Sequence, residues 1–87
     1  MGVDVMIVGP AQAIASRPSD ETMNLLEDLF HDYTIRYGYV ELDDAHIRAL
    51  ESRFSEDPVA AMLLAEVDAL KGRGERGSYA IELMISA

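Results

Sequence analysis

The chain has no cysteine, no tryptophan, only three prolines and only seven basic residues. Without thiols it can form no disulfide, no thiolate zinc site and no cysteine nucleophile, so its stability must come from packing. The shortage of positive charge is as informative. Seven Lys and Arg against sixteen Asp and Glu give a formal charge of −9, which opposes binding to phosphate backbones, because such binding draws its energy from Lys and Arg displacing counterions. Direct nucleic-acid binding is not expected. No segment carries a cofactor fingerprint, and none is expected. The opening residues MGVDVMIVGP lack a basic region, place Asp4 inside the apolar run and are too short to span a bilayer. Position 6 is Met where a myristoylation signal needs Ser or Thr. A cytoplasmic location without a membrane partner is the expectation.

What remains is a chain built to fold. Its 87 residues, 49 % of them hydrophobic, suit one compact domain that buries about 60–65 % of the unfolded chain's surface. The stretch Pro58 to Lys71, PVAAMLLAEVDALK, organises the rest. Wound as a helix, its Val59, Ala60, Met62, Leu63, Leu64, Val67 and Leu70 spread over roughly 200° of the circumference, wider than the stripe of a surface helix. Such a helix needs neighbours on several sides. Glu66 falls inside the apolar arc, between Met62 and Leu70, and Ala61, Ala65 and Ala69 line the remaining side with Asp68.

Taken in order, residues 3–8 read as a strand with Val3, Val5 and Ile7 on one face. Gly9-Pro10 ends it, and AQAIA reads as a short helical turn. A first long helix is expected from residue 20 to Tyr37, capped by Ser19 or Asp20 and closed by Gly38, with Met23, Leu26, Leu29, Phe30, Tyr33 and Tyr37 buried. Residues 39–42 are short and β-prone. Asp43 or Asp44 starts a second helix to Phe54 that buries Ile47, Leu50 and Phe54, and Asp57-Pro58 starts the third. GRGERG, residues 72–77, is a flexible loop. It is followed by a strand over 79–85, with Tyr79, Ile81, Leu83 and Ile85 inward and Ala80, Glu82 and Met84 outward. The fold class is α+β in the order β-α-α-α-β, with helices on one face of a two- or three-stranded sheet that pairs the N- and C-terminal strands.

Four places carry candidate chemistry. Glu27, Asp28, His31 and Asp32 share a face of the first helix; Asp28 and His31 stand at the i, i+3 spacing of bundle metal sites, which require ligands from further helices, here only His46 with Asp43 or Asp44. A solvated acidic face is the simpler account, and no metal site is expected. Ile35 lies apolar among these acids, so the face also reads as a recognition surface for a partner with arginines and an apolar anchor. Glu66 either pairs with Arg48, Arg53 or His46 of the second helix or is set up for acid chemistry, the salt bridge being the expectation. GRGERG lacks the Lys-Ser or Lys-Thr of a phosphate loop, and a strand follows it where a helix start is needed. No nucleophile elbow is present.

The expected function is accordingly non-enzymatic. It is a small acidic protein-binding module, in its most concrete form an inhibitor or immunity-type protein engaging the basic groove of a nucleic-acid-binding protein through Glu27, Asp28, His31, Asp32, Ile35, Glu41, Asp43 and Asp44. The alternative is a homo-oligomeric assembly subunit in contact through Ala61, Ala65, Asp68, Met6 and Met84. A small metal-dependent enzyme is the third reading.

Overall fold

The computed structural model describes residues 3–9, 12–30 and 36–86. Its elements are β1 (Asp4–Ile7), β2 (Ala13–Ser16), α1 (Asp20–Leu29), β3 (Tyr37–Asp43), α2 (Asp44–Glu51), α3 (Pro58–Gly72) and β4 (Ser78–Ser86). The four strands form one antiparallel sheet in the order β2-β1-β4-β3. The terminal strands pair as expected, with Val5 opposite Ile85 and Ile7 opposite Leu83.

Alternation sorts the side chains. Val5 and Ile7, then Tyr79, Ile81, Leu83 and Ile85, are buried beneath the helices, joined by Val40 and Leu42 from β3. On the helix side Leu26, Ile47, Leu50, Val59, Leu63, Val67 and Leu70 complete one core. The wide apolar arc of α3 is thus covered internally, by α2 on one flank and the sheet on another.

Four features differ from the sequence expectation. Residues 13–15 of AQAIA, read as a helical turn, belong to the strand Ala13–Ser16, so the sheet has four strands and not two or three. A five-residue helix offers little return on its nucleation cost, whereas pairing with β1 satisfies the backbone and shields an edge. Secondly, α1 ends at Leu29 with Phe30 as its C-cap, and Tyr37 opens β3 with its side chain exposed. Gly38 therefore does not close a helix; it sits within the strand at φ 154°, where an added Cβ would lie 3.8 Å from the Phe30 ring. Aromatic Tyr37 and Tyr39 suit a strand's alternation as well as a helix's period, and pairing with β4 selects the strand. Tyr33 lies outside the described residues. Thirdly, the short strand expected at 39–42 extends over 37–43 along β4. Lastly, α2 stops at Glu51, and Phe54, in the turn beyond it, is 57 % exposed instead of buried.

The helix starts are tied together by one side chain. Asp57 is 2 % exposed and uses both carboxylate oxygens. Oδ1 accepts the Val59 and Ala60 N–H groups at 2.9 and 3.2 Å, capping α3. Oδ2 accepts the Ser19 N–H at 2.9 Å and the Thr22 hydroxyl at 2.6 Å, at the start of α1. Both helix dipoles favour negative charge there. Burial alone would raise the Asp57 pKa, but the hydrogen bonds from Thr22, Ser19 and Ala60 outweigh it and hold the carboxyl below its ordinary value of 3.8.

A carboxyl with a lowered folded-state pKa adds stability that is complete above its unfolded value and disappears as pH falls through the folded one. Urea unfolding between pH 6 and pH 2.5 should therefore show wild-type stability falling below about pH 4. Asp57→Asn should be less stable by about 1–3 kcal/mol at pH 6 and flatter with pH across that window, and identical slopes for the two proteins would refute the tie.

Candidate functional site

With all three helices on one side, the other face of the sheet has no covering element among the described residues. The register aligns its outward side chains in rows. Ile14, Met6, Met84 and Tyr37 stand directly opposite one another across β2, β1, β4 and β3. At ordinary strand spacing this apolar row is about 14 Å long. Ile14 is 65 % exposed, and Met84 and Tyr37 are exposed as well. Beside it, Tyr39 lies opposite Glu82, and the Tyr37 hydroxyl donates to Glu82 Oε2. That bond, with the Glu82 charge, raises the Tyr37 phenol above its ordinary 10.0.

Carboxylates flank the row. Asp4 lies on one side, its Oδ1 accepting the Ser16 hydroxyl at 2.5 Å, and Glu82, Glu41 and Asp43 lie on the other. No Lys or Arg occupies an outward position on the four described strands; Arg17 and Arg36 stand just beyond the ends of β2 and β3. An apolar centre with a polar rim of one sign is the anatomy of an association surface.

The acidic residues expected on one surface are distributed over two layers. Glu27 and Asp28 are exposed on α1, whereas Glu41 projects from β3 on the far side of the sheet. His31, Asp32 and Ile35 lie outside the described residues. Asp44 is exposed in the first turn of α2. Asp43 is occupied as its N-cap, with Oδ1 accepting the His46 N–H at 2.9 Å, and this bond is the main cause of its lowered pKa. His46 Nδ1 accepts the Asp43 N–H at 3.1 Å. A nitrogen that accepts carries no proton, so the equally close approach of Asp43 Oδ1 to Nδ1 is a capping-box geometry and not an ion pair. Among the described residues no three His, Asp or Glu side chains converge on a metal position, and no helix is long and apolar enough to cross a membrane.

Glu66 is 8 % exposed and makes no hydrogen bond or salt bridge among the described residues. The salt bridge expected to Arg48, Arg53 or His46 is absent, because Arg48 projects into solvent and His46 is engaged in its cap. Glu66 instead lines two cavities, and among the described residues no side-chain oxygen is sealed from water without a hydrogen-bond partner. One, of about 140 Å³, is lined by Ile7, Gly9, Tyr39, Glu66, Leu70, Ala80, Ile81 and Glu82. The other, of about 320 Å³, is otherwise lined, among the described residues, by apolar side chains of β1, β2 and α3. Sequence reasoning singled out Glu66 from its place in the apolar arc, but nothing in the sequence located the cavities.

The alanine side of α3 faces a third space. Ala61, Ala65 and Asp68 line a groove of about 400 Å³ against Ile47 and Phe54 of the α2 end. Lys71 closes it and lies 5.8 Å from the centre of the Tyr79 ring. GRGERG is exposed throughout, with Gly74 and Gly77 at φ 95° and 82°, and it connects α3 to β4 without enclosing a ligand space.

Because Ala65 is exposed, Ala65→Glu should leave stability within about 0.5 kcal/mol of wild type. Light scattering after size exclusion should give the same mass for both proteins, near 9.6 kDa. A larger wild-type species that the substitution dissociates would instead identify this groove as an interface between copies.

Comparison of the chain with protein-family models, with curated proteins and with solved structures finds no match.

Proposed function

We propose that this chain is a small acidic, non-enzymatic protein-binding module whose contact surface is the open face of its sheet. The observation that carries this reading is the row Ile14–Met6–Met84–Tyr37, which no element among the described residues covers, flanked by Asp4, Glu82, Glu41 and Asp43 with no cation among the outward positions of the described strands. Tyr and Met are side chains that supply much contact area at interface centres. The carboxylates select a basic partner, and the overall charge of −9 speeds its approach. A concrete form is an inhibitor that occupies a basic groove, its carboxylates lying where phosphates would.

A second reading is a homo-oligomer through the same face, which the exposure of Met84 favours. Face-to-face copies would bring two sets of four carboxylates together without a compensating cation, and such juxtaposition costs several kcal/mol. The basic partner is therefore preferred.

The test uses the protein as bait in an extract of its source organism, with three variants beside the wild type. Met84→Glu interrupts the row, Glu41→Lys with Glu82→Lys reverses the flank, and Asp28→Lys alters α1. The expected partner is retained by wild type and Asp28→Lys, is weakened at least tenfold by each of the other two, and is released as salt rises, since screened charges lose their pull. Equal retention by all four proteins sinks the reading. Loss with Asp28→Lys alone transfers the contact to the helical face.

A further inference from the structure

Among the described residues β2 forms one edge of the sheet and β3 the other, and the two edges differ. An edge strand invites pairing with a further strand, and proteins ordinarily blunt it by shortness, a bulge, proline or lysine. β2 is short, with four residues. β3 has none of these devices. It runs for seven residues in one-to-one register with β4, so it contains no bulge, and YGYVELD holds neither proline nor lysine.

The direction of its backbone groups follows from the ladder. The Ile85 N–H donates to the Arg36 carbonyl at 2.8 Å, and Arg36 stands opposite Ile85 when the register of Tyr37 with Met84 is continued by one residue. Along an antiparallel strand the residues bonded to a given neighbour alternate. Arg36, Gly38, Val40 and Leu42 therefore turn their N–H and C=O groups towards β4, and Tyr37, Tyr39, Glu41 and Asp43 turn theirs to the outer edge. The Asp43 N–H agrees with this phase, because it donates to His46 Nδ1 at the start of α2 and not to β4. Tyr37, Tyr39 and Glu41 are then the positions at which a further strand can bond. Tyr39 is 69 % exposed, and Tyr37 and Glu41 are exposed as well, so this edge is open to an incoming chain.

The side chains select what fits there. Outward along β3, tyrosines occupy the first half and the carboxylates Glu41 and Asp43 the second, with Asp44 exposed just beyond. A strand laid antiparallel, as every neighbouring pair in this sheet is, brings basic residues beside the carboxylates first and an apolar residue beside the tyrosines later. Its inward residues lie beside Leu42, Val40 and Gly38, where the partly buried Phe30 ring comes within 3.8 Å of the place a Gly38 Cβ would take. A second copy of this chain is a poor occupant, since each copy carries a formal charge of −9.

We propose that the outer edge of β3 receives an extended segment of a partner protein, antiparallel, with lysine or arginine beside Asp43 and Glu41 and an apolar residue beside Tyr39. This mode of attachment rests on the protein-binding function proposed above and specifies how the partner is held. Main-chain bonds at Tyr37, Tyr39 and Glu41 hold the segment, and its alternate side chains give the selectivity.

The experiment titrates the capped heptapeptide KTKVYVT into isotopically labelled protein and follows amide shifts and amide exchange with solvent. Laid antiparallel, its seven residues stand opposite Asp43 back to Tyr37. Binding should be saturable and should slow exchange of the Tyr39 and Glu41 N–H groups at least tenfold. N-methylation of the third and fifth peptide residues, whose N–H groups face β3, should weaken binding at least tenfold, whereas N-methylation of the second and fourth, which face away, should change it less than threefold. ETEVYVT should bind at least tenfold more weakly. Equal binding by the two N-methylated peptides, equal binding by KTKVYVT and ETEVYVT, or no saturable binding at millimolar peptide overturns the proposal.

Retention of the captured partner separates this attachment from the binding function itself. Tyr39→Pro removes one outward N–H without removing a bond to β4, and it should weaken retention at least tenfold more than Tyr39→Ala, which keeps the N–H. Melting within about 4 °C of wild type shows that the fold is kept; if Tyr39→Pro melts lower, the N-methylated peptides decide on the wild-type protein. Retention unchanged by Tyr39→Pro but lost with Met84→Glu rejects the edge and leaves the open face as the binding surface, and retention unchanged by every variant removes both. A wild-type mass above 9.6 kDa that Tyr39→Pro returns to that value assigns the edge to a second copy and overturns the proposal.

Discussion

Asp57 is the interaction on which the helical layer depends. One buried carboxylate caps α3 through one oxygen and holds the start of α1 through the other, across 38 residues of sequence. Capping bonds contribute about 1 kcal/mol each, and charge-assisted ones more. The larger consequence is geometric. With both N-termini fixed to one point, α1 and α3 must start side by side, and their apolar faces meet the same side of the sheet. Thr22, fully buried, is polar because it completes this junction; an apolar residue there would leave Asp57 short of a donor.

Placing every helix on one side leaves a sheet with two different faces. The inner one is continuous with the core, while the outer one shows an apolar row among carboxylates. A four-stranded sheet of this size can tolerate a solvated face, but the row is more apolar than solvation alone requires, and isolated exposed aliphatics do not ordinarily align across four strands. The unequal strand lengths matter equally. β1 spans four residues and β4 nine, so the sheet has a step. A cavity at that step is lined from both faces of the sheet, by Tyr39 and Glu82 on one and by Glu66 and Leu70 on the other.

Local sequence was decisive where one signal dominated. The alternation of Val5 and Ile7 and of Tyr79 to Ile85 was readable because a period of two leaves a single way to bury the apolar set. The starts of α2 and α3 were readable from Asp43 and Asp57-Pro58, since capping needs a short acceptor at one defined position. Glu66 stood out as a carboxylate in an apolar arc. Signals conflicted elsewhere. Tyr37 fits a helical face and a strand, and Phe54 continues the period of α2 although its helix has already ended. Ala13–Ser16 carries too little side-chain information to choose a conformation by itself.

Composition, and periodicity within a few residues, were enough for the α+β class, the central helix, the burial of the terminal strands and the acidic character. That β2 is a strand, that β3 begins at Tyr37, that Asp57 joins two helices, and that Ile14, Met6, Met84 and Tyr37 form one row came from the fold. Each of these depends on pairing between residues distant in the chain, where the energy resides in the partner and not in the segment. The position of Glu66 within the helix was legible from spacing; the space it faces was not, since a cavity is a property of the elements that fail to meet around it.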